Sequence, residues 1–291
     1  MGTPAAELEI DETLVRMLLV EQQPDLADLS MRFIGHGWDN VMVRLGTDLM
    51  VRLPRRQASA RLVLNEQRWL PELAPRLPLP IPSPIFAGIP SAQYPWVWSI
   101  CPWLPGMAAS IAPPIDHHDA ALSLADFIVA LHQPAPVDAP ENPFRGVHLR
   151  QRAEAVQTRA DSLGDVAHTK QVLAVWDELR STPEWSGPAL WLHGDLHPSN
   201  MLTDHGRMSA IIDFGDITSG DPATDLALAW MVFEPRERAV FRDAAAIDDN
   251  TWRRAAGWAL NLALAYLTGD DTTSMPAIGR TTLTEVLTEF G

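Results

Sequence analysis

The sequence contains little of several residue types, and each shortage excludes a class of protein. A single cysteine, Cys101, excludes an intrachain disulfide framework. No apolar run reaches the roughly 18 residues that a membrane-spanning helix needs. The acidic segment 1–11 lacks the basic and apolar pattern of a secretion signal. These absences predict a cytoplasmic protein with a reduced thiol and without a membrane partner.

Positive charge is also scarce, since 22 Lys and Arg residues stand against 37 Asp and Glu residues and give a formal net charge of −15. Nucleic acid is therefore not an expected partner, because binding to its phosphates requires many lysines and arginines. An acidic cleft could attract a cationic substrate. Surface carboxylates that only keep the protein soluble are the simpler explanation of the same charge.

Residue patterns divide the 291-residue chain into a β-rich first part and a mostly helical second part. Short apolar runs between glycine-containing turns predict three strands, and three- and four-residue spacing predicts a helix at 57–73. Five prolines between positions 75 and 84 predict an extended connector. We therefore expect an α+β protein with an N-terminal lobe of residues 1–104 and a C-terminal lobe of residues 105–291. The predicted strands are 29–35, 40–45 and 49–53, and the later predicted helices are 116–132, 149–163, 169–179, 222–233, 236–246, 251–267 and 281–290.

Two polar segments interrupt the helical part: His193-Gly194-Asp195-Leu196-His197-Pro198-Ser199-Asn200 and Asp213-Phe214-Gly215. The residues between them predict a hairpin that turns at 204–206 and places Asn200 and Asp213 side by side at its open end. Oxygen atoms of such side chains suit Mg²⁺. Asp195 precedes Asn200 by five residues, which is the Asp-x-x-x-x-Asn spacing of kinase catalytic loops. Phosphoryl transfer needs a metal and a carboxylate of this kind.

These segments resemble the signature of the aminoglycoside phosphotransferase family, in which His-Gly-Asp replaces the His-Arg-Asp of protein kinases. The likeness is specific over residues 191–230 and weaker in the first half of the chain. It implies a bilobal, protein-kinase-like fold, with ATP or GTP as co-substrate, Mg²⁺ as cofactor and a small-molecule hydroxyl as acceptor. By this resemblance, Asp195 is the catalytic base, and Asn200 and Asp213 are the Mg²⁺ ligands.

The resemblance also implies nucleotide contacts in the first part of the chain. Arg52 stands where kinases carry a phosphate-binding lysine, and Glu66 on the following helix would pair with it. Gly37 lies in a turn whose backbone amides could bind phosphates. In the hinge, Cys101 would take the gatekeeper place.

The hinge implied by the resemblance spans residues 99–106. The carbonyl of Pro102 and the amide of Leu104 would hold the nucleotide base there. This assignment is chemically allowed, because a proline can accept a hydrogen bond and Leu104 keeps its N–H.

Supporting roles follow from the same resemblance. His193 is expected to be a buried, hydrogen-bonded member of the catalytic loop, and Asp221 and Asp225 are expected to brace that loop through backbone contacts.

Several alternatives stay open at this point. The pattern His193-x-Asp195-x-His197 resembles half of a transition-metal site, which would suit a metal-dependent hydrolase. A kinase-like binding module without activity is a second alternative. The resemblance favours an antibiotic acceptor, such as an aminoglycoside or a macrolide, and small metabolites such as choline or homoserine are the other choice. Trp230, Trp252 and Trp258 stand where the resemblance places the acceptor site, or else belong to the core.

Overall fold

The structure is a computed structural model that describes residues 4–269 and 274–291. It contains two compact units. The N-terminal unit comprises residues 4–76 and 80–105, and the C-terminal unit comprises residues 77–79 and the described part of 106–291. No helix within these described residues is long and apolar enough to cross a membrane.

An antiparallel sheet of five strands, in the order β1-β2-β3-β5-β4, forms the frame of the N-terminal unit. Because side chains alternate between the two faces of a strand, Val51 and Leu53 face the apolar core while Arg52 between them faces the opposite side. The three predicted strands are confirmed within one to two residues. The strands are β1 Met31–His36, β2 Asn40–Leu45, β3 Leu49–Pro54, β4 Phe86–Gly88 and β5 Trp98–Pro102.

Two helices belong to this unit. Helix α1 (Glu12–Gln22) packs Leu14, Val15 and Leu18 into the core under the sheet, and its start is fixed by Asp11, which accepts a hydrogen bond from the Leu14 amide at 2.8 Å. The sequence analysis missed this helix. Helix α2 (Gln57–Leu73) begins and ends at the predicted residues.

The C-terminal unit is mostly helical and is organised around helix α9, which is buried along most of its length from Thr251 to Leu264. A helix that is apolar on all sides must lie inside the protein, and α9 packs against α4, α5, α6 and α10. The helices are α3 His117–Leu131, α4 Ala153–Asp161, α5 Val166–Arg180, α6 Ala223–Leu226, α7 Ala229–Val232, α8 Pro235–Ala244, α9 Asp249–Thr268 and α10 Met275–Phe290.

Two predicted helices are shorter than expected. The segment predicted as helix 149–163 begins as a 3₁₀ turn at Leu149–Arg152 and becomes α-helical only in α4. The segment predicted as helix 222–233 is broken into α6 and α7, and buried backbone and side-chain contacts of Asp221, Thr224 and Asp225 fix this irregular geometry. Tertiary hydrogen bonds thus override the local periodicity.

The predicted hairpin is confirmed. Strands β8 (Met201–Asp204) and β9 (Arg207–Ile211) are antiparallel, and the two turn residues His205 and Gly206 both have positive φ, as a two-residue hairpin turn requires. Strand β6 (Met107–Ala108) extends this sheet. A second small sheet pairs β7 (Leu190–Leu192) with β10 (Thr218–Gly220) and frames the polar segment that follows β7.

Candidate functional site

Asp195 lies in the loop between β7 and the 3₁₀ turn Pro198–Asn200, and protein groups surround its carboxylate. One carboxylate oxygen is 3.1 Å from Nη2 of Arg145, and the other is 3.3 Å from Nε2 of His197. Its backbone amide donates to Nδ1 of His193 at 3.2 Å. These contacts fix both the position of the carboxylate and the direction in which it points.

The charges around Asp195 keep its carboxylate ionised. Burial by itself raises the pKa of this group, but the charge and hydrogen bond of His197, followed by the charge of Arg145, hold the pKa of Asp195 well below its ordinary range. The group is therefore negatively charged at neutral pH. A carboxylate in this state can accept a hydrogen bond from a hydroxyl and orient its oxygen for attack.

Asn200 lies next to Asp195. Its Nδ2 donates to the backbone oxygen of Asp195 at 2.9 Å, so the amide oxygen Oδ1 is left as the atom that could ligate a cation. The backbone oxygen of Asn200 accepts from the Ile212 amide at 2.9 Å, which closes the open end of the β8–β9 hairpin. Because Asp213 follows Ile212, the structure brings Asn200 and Asp213 to the same end of the hairpin, near Asp195.

Asp213 has an unusual backbone. Its φ of 63° and ψ of 65° lie in the left-handed region, which costs about 1 to 3 kcal/mol for a residue other than glycine. The side chain is exposed. Such strain is concentrated at functional sites. An exposed carboxylate beside an amide oxygen is a donor set that fits Mg²⁺.

Asp225 fixes the backbone of the loop that carries Asp195. Its buried carboxylate accepts hydrogen bonds from the backbone amides of His193 at 2.8 Å and Gly194 at 2.9 Å, and it lies 3.2 Å from Nε2 of His132. The expected bracing role of this residue agrees with the geometry. Asp221 differs from expectation, because its side chain pairs with Arg254 at 2.8 Å rather than with the loop.

His193 is fully buried, and both of its ring nitrogens face protein groups. Nε2 is 2.9 Å from the backbone oxygen of Ile212, and Nδ1 accepts from the Asp195 amide. A metal would have to displace one of these contacts. Within the described residues, no three His, Cys, Asp or Glu side chains form a group that could hold a metal ion. The geometry therefore does not favour the hydrolase alternative.

Glycine is required at position 194 for two reasons. Its φ is +87°, and a Cβ atom placed on it would lie 2.3 Å from the backbone oxygen of Asp216. Asp216 belongs to the 3₁₀ turn Phe214–Asp216. The backbone at Gly194 therefore lies directly against the backbone of the second polar segment. This close approach explains in physical terms why glycine stands before Asp195.

We expect Gly194→Ala to destabilise the protein by at least about 2 kcal/mol, because it combines left-handed strain with a steric overlap. Gly164→Ala is the matched control, since Gly164 also has a positive φ of +79° but has no atom within 4 Å of its Cβ position. Chemical denaturation of both variants measures the difference. Equal destabilisation of the two variants would show that the approach to Asp216 does not matter.

Arg145 is a residue of the candidate site that the sequence analysis missed. It lies between two carboxylates, with Nη2 at 3.1 Å from Asp195 and Nε at 3.9 Å from Asp216. Asp216 also accepts a hydrogen bond from Asn142 at 2.8 Å, and burial raises its pKa in spite of Arg145. The segment 133–148 has no periodicity, so no sequence signal pointed to this arginine.

Tyr266 was also missed. Its hydroxyl is buried and has no hydrogen-bond partner within the described part of the chain, and its ring lies edge-on to the ring of His197 at 5.9 Å. Burial, followed by the negative charge of Asp195, raises the pKa of the phenol. Tyr266 therefore adds a neutral hydroxyl to the surroundings of Asp195. Being one of only two tyrosines was the only sequence signal.

The tryptophans proposed for the acceptor site are core residues. Trp230, Trp252 and Trp258 expose 1%, 5% and 0% of their surfaces. The rings of Trp230 and Trp252 pack 4.5 Å apart. The structure therefore supports the core alternative for all three.

In the N-terminal unit, Arg52 and Glu66 form the predicted pair. Nη1 of Arg52 lies 2.7 Å from Oε1 of Glu66, and both side chains are almost fully buried. Cys101 on β5 lies near this pair, and burial raises the pKa of its thiol to about 12. The thiol is therefore protonated and unreactive at neutral pH.

Strand pairing sets the direction of the Pro102 carbonyl. Pro102 lies opposite Leu49, and the amide of Trp103 donates to the carbonyl of Asp48 at 2.7 Å. Because hydrogen-bonded and non-hydrogen-bonded pairs alternate along antiparallel strands, Pro102 occupies a non-hydrogen-bonded position. The missing N–H of the proline costs nothing there, and its carbonyl points away from β3.

The carbonyl of Pro102 faces the same edge as that of Ile100, which accepts from the Ile85 amide at 2.8 Å. The regular pairing of β4 with β5 ends where Phe86 lies opposite Ile100, two residues before Pro102. The Pro102 carbonyl therefore lies beyond this pairing, and Leu104 follows two residues later.

Gly37 lies in the turn between β1 and β2. Its amide donates to the carbonyl of Asn40 at 2.9 Å, and its carbonyl accepts from Nη1 of Arg55 at 3.3 Å. Asp39 in the same turn is fixed by Arg56 at 2.9 Å and by Ser59 at 2.6 Å. The turn is thus anchored to the start of α2, and the Gly37 amide is engaged within the turn itself.

The profile of the phosphotransferase enzyme family (APH) matches residues 30–258. The chain belongs to this family. The match covers both the strand-rich and the helical parts of the chain, including every residue predicted for the site. The prediction of an enzyme of the phosphotransferase class, similar to aminoglycoside phosphotransferases, is thereby confirmed.

Two relatives align with about two thirds of this chain at less than 30% identity. The "Uncharacterized protein YcbJ" of Bacillus subtilis (strain 168) is 28% identical and aligns with 67% of this chain and 66% of its own length. An "Aminoglycoside 3'-phosphotransferase" of Escherichia coli is 26% identical and aligns with 72% of this chain and 69% of its own length. The aligned part thus spans about two thirds of these relatives.

Solved structures confirm the fold. The GDP complex of wild-type aminoglycoside 2'-phosphotransferase-IIIa has a TM-score of 0.71 at 20% identity, over 96% of this chain and 99% of the other. Macrolide 2'-phosphotransferase MphH from Brachybacterium faecium has a TM-score of 0.62 at 20% identity, over 94% and 97% of the two chains. The predicted α+β, kinase-like architecture of this APH protein is therefore correct.

Proposed function

We propose that this protein transfers the γ-phosphoryl group of ATP or GTP to a hydroxyl group of a small molecule. The observation that carries this proposal is the arrangement around Asp195. An ionised carboxylate, the amide of Asn200 bound to its backbone, and the exposed carboxylate of Asp213 come together at one end of a hairpin. This combination supplies the groups that phosphoryl transfer needs.

Asp195 is the proposed catalytic base. Its carboxylate accepts the hydrogen bond of the acceptor hydroxyl and takes the proton as the oxygen attacks phosphorus. Since its pKa is low, its main contribution is to orient the hydroxyl before attack, and the proton passes to it late in the reaction.

Asn200 and Asp213 are the proposed Mg²⁺ ligands, through Oδ1 and a carboxylate oxygen. A bound Mg²⁺ would neutralise the charge of the nucleotide phosphates. The left-handed backbone of Asp213 and the hydrogen bond of Nδ2 of Asn200 pre-position these oxygen atoms, so that little reorganisation is needed on binding.

In the N-terminal unit, three groups are proposed to contact the nucleotide, and Glu66 is proposed to position one of them. Arg52, held by Glu66, contacts phosphates, and the carbonyl of Pro102 and the amide of Leu104 hold the base. The pairing of β3 and β5 supports the assignment of Pro102, because it points the Pro102 carbonyl away from β3.

The turn that contains Gly37 is proposed to lie against the phosphates. No atom of the described residues, apart from the two chain neighbours, lies within 4 Å of its Cβ position, which leaves room for a ligand beside the backbone and supports this role.

For the acceptor, we infer a small molecule with an alcohol group. Similar solved structures are complexes of related enzymes with kanamycin, with streptomycin and with gentamicin, and others are macrolide phosphotransferases. Such antibiotics are therefore the first acceptors to test, and small hydroxylated metabolites are the second group. Phosphorylation of an antibiotic would make the protein a resistance enzyme.

The direct test is nucleotide consumption with Mg²⁺ and ATP or GTP against a panel of aminoglycosides, macrolides, amino alcohols and hydroxy acids. We expect formation of a nucleoside diphosphate that depends on one acceptor class and on Mg²⁺. A protein that binds neither ATP nor GTP in the presence of Mg²⁺ would refute the proposal.

The double variant Arg52→Met/Glu66→Met is expected to keep the stability of the wild type, because replacing a buried ion pair by apolar residues of similar volume is often neutral. It is also expected to raise the KM for the nucleotide about 10- to 100-fold, because a charge-assisted contact with phosphate is lost. Steady-state kinetics and thermal unfolding measure the two effects.

Arg52→Lys is the matched control, since it keeps the positive charge and is expected to keep most of the nucleotide affinity. An unchanged KM for the nucleotide in the double variant would mean that Arg52 does not contact phosphates.

A further inference from the structure

The segment 145–159 carries a cluster of arginines near Asp195. We call Arg145, Arg152 and Arg159 the arginine cluster. Arg145 contacts Asp195 directly at 3.1 Å. Arg152 ends the 3₁₀ turn that precedes α4, and Arg159 lies on α4 seven residues later, which is about two helical turns and therefore the same side.

Among the described residues, three of the four buried arginines outside the cluster are paired with carboxylates. Arg52 pairs with Glu66 at 2.7 Å, Arg238 with Glu285 at 2.8 Å, and Arg254 with Asp221 at 2.8 Å. The fourth, Arg55, contacts the carbonyl of Gly37 at 3.3 Å. Pairing with a carboxylate is therefore the commoner arrangement of a buried guanidinium here, because it offsets the desolvation of the charge.

Arg152 and Arg159 depart from this pattern. Both are partly buried, and within residues 4–269 and 274–291 neither of them forms an ion pair with an Asp or Glu. Arg159 reaches only a neutral group, Oδ1 of Asn261 on α9, at 3.3 Å. The Nε atoms of Arg145 and Arg152 are buried without a hydrogen-bond acceptor among the described residues.

Electrostatics agree with this geometry. Burial lowers the pKa of Arg152, and the charges of Arg159 and Arg145 lower it further. Burial also lowers the pKa of Arg159, followed by the charge of Arg145. Desolvated like charges thus repel one another, and no carboxylate of the described residues offsets the repulsion at Arg152 or Arg159. An anion between them would remove this penalty.

We infer that Arg152 and Arg159 bind an anionic group of the acceptor, a carboxylate or a phosphate ester, while Arg145 connects this group to Asp195. The inference rests on the proposed kinase function and specifies its substrate class. Arginine suits this task, because its planar fork of N–H donors matches the oxygens of both groups. The inferred acceptor is thus anionic, whereas the net charge of the protein was compatible with a cationic acceptor.

The test uses matched acceptors and matched variants. Each hydroxy acid or phosphorylated hydroxy compound in the panel is compared with its uncharged amide or unphosphorylated form. We expect the wild type to prefer the anionic member of a pair. Arg152→Gln and Arg159→Gln are each expected to raise the acceptor KM about 10- to 100-fold, with little change in the KM for the nucleotide.

Arg150→Gln is the control. Arg150 lies in the same 3₁₀ turn as Arg152, but it is exposed and lies 4.0 Å from Glu184. This variant is expected to keep the wild-type acceptor KM. If Arg152→Gln, Arg159→Gln and Arg150→Gln all share that KM, the inference is wrong, whereas continued acceptor-dependent turnover would leave the kinase proposal intact.

A second measurement does not depend on the acceptor or on turnover. Thermal unfolding of the wild type is followed in sulfate and in chloride at equal ionic strength, with saturating Mg²⁺ and a non-hydrolysable nucleotide. We expect sulfate to raise the Tm of the wild type and of Arg150→Gln by more than that of Arg152→Gln/Arg159→Gln, in which only the general stabilisation by sulfate remains. The same measurement is repeated without nucleotide. A sulfate effect on the wild type that occurs without nucleotide but disappears at saturating nucleotide would assign the cluster to a nucleotide phosphate and overturn the acceptor assignment.

Discussion

Asp195→Asn is expected to lower kcat about 10²- to 10⁴-fold, the range over which a positioned general base contributes to catalysis. The amide keeps the size of the side chain, so the contacts with Arg145 and His197 can be partly kept and the protein should fold. The amide, however, cannot take up the proton of the acceptor hydroxyl. Steady-state kinetics with the best acceptor from the panel measures the loss, and calorimetric titration with nucleotide and Mg²⁺ should show that binding persists.

Asp204→Asn is the matched control for this variant. Asp204 ends strand β8 in the same hairpin, and about half of its side chain is exposed. We expect wild-type kinetics from it. Retention of wild-type kcat by Asp195→Asn would exclude a role for the carboxylate in the chemical step.

Asp225→Ala is expected to have the largest effect on stability, a loss of about 3 to 5 kcal/mol. The substitution leaves the backbone amides of His193 and Gly194 without their buried acceptor, and each unsatisfied buried donor costs about 1 to 3 kcal/mol. His132 loses a partner as well. Since domains are stable by only about 5 to 15 kcal/mol, the variant should unfold at a much lower denaturant concentration.

Asp116→Ala provides the comparison. Asp116 caps helix α3 by accepting one amide, from Asp119 at 3.0 Å, at an exposed position. Removing such a cap costs about 1 kcal/mol. If the denaturation midpoints of Asp225→Ala and Asp116→Ala are equal within experimental error, the role assigned to Asp225 is wrong.

Elements with strong local signals were predictable. The helix at 57–73 was predicted with its correct bounds, because a run of residues with helical periodicity is set off by Pro54 before it and by the prolines after it. The β8–β9 hairpin was predictable because Gly206 permits the positive φ of a two-residue turn. Helix α1 was missed since its acidic flanks resemble an irregular terminus, although Asp11 is an ordinary N-cap.

The loop that carries Asp195 was recognisable as a candidate site from motif spacing, but its surroundings were not predictable. Asp195, Asn200 and Asp213 stand at fixed separations in two short segments. Arg145 is 50 residues away from Asp195 in the chain and reaches it from an irregular loop. Tyr266 reaches the same place from α9. Only tertiary packing brings such residues together, and no pattern within either segment encodes it.

The net charge of the whole chain is likewise a poor guide to the charge at the site. The net charge of −15 was compatible with a cationic acceptor but did not specify one, because it averages over the whole surface. The local charges differ from this average. Arg145 lies against the carboxylates of Asp195 and Asp216. Its charge acts on Arg152 and Arg159, which form no ion pair with an Asp or Glu among the described residues. Local placement of charge determines which ligand is favoured at a site.

The central claim is transfer of a phosphoryl group to an acceptor hydroxyl by the Asp195 site. Phosphorus NMR of a reaction with Mg²⁺, nucleotide and the best acceptor tests it most directly. We predict a new phosphate-ester signal that grows in equal amount with the nucleoside diphosphate and is absent from the Asp195→Asn reaction over the same time. Formation of inorganic phosphate alone, or an ester signal of equal rate in Asp195→Asn, would contradict it.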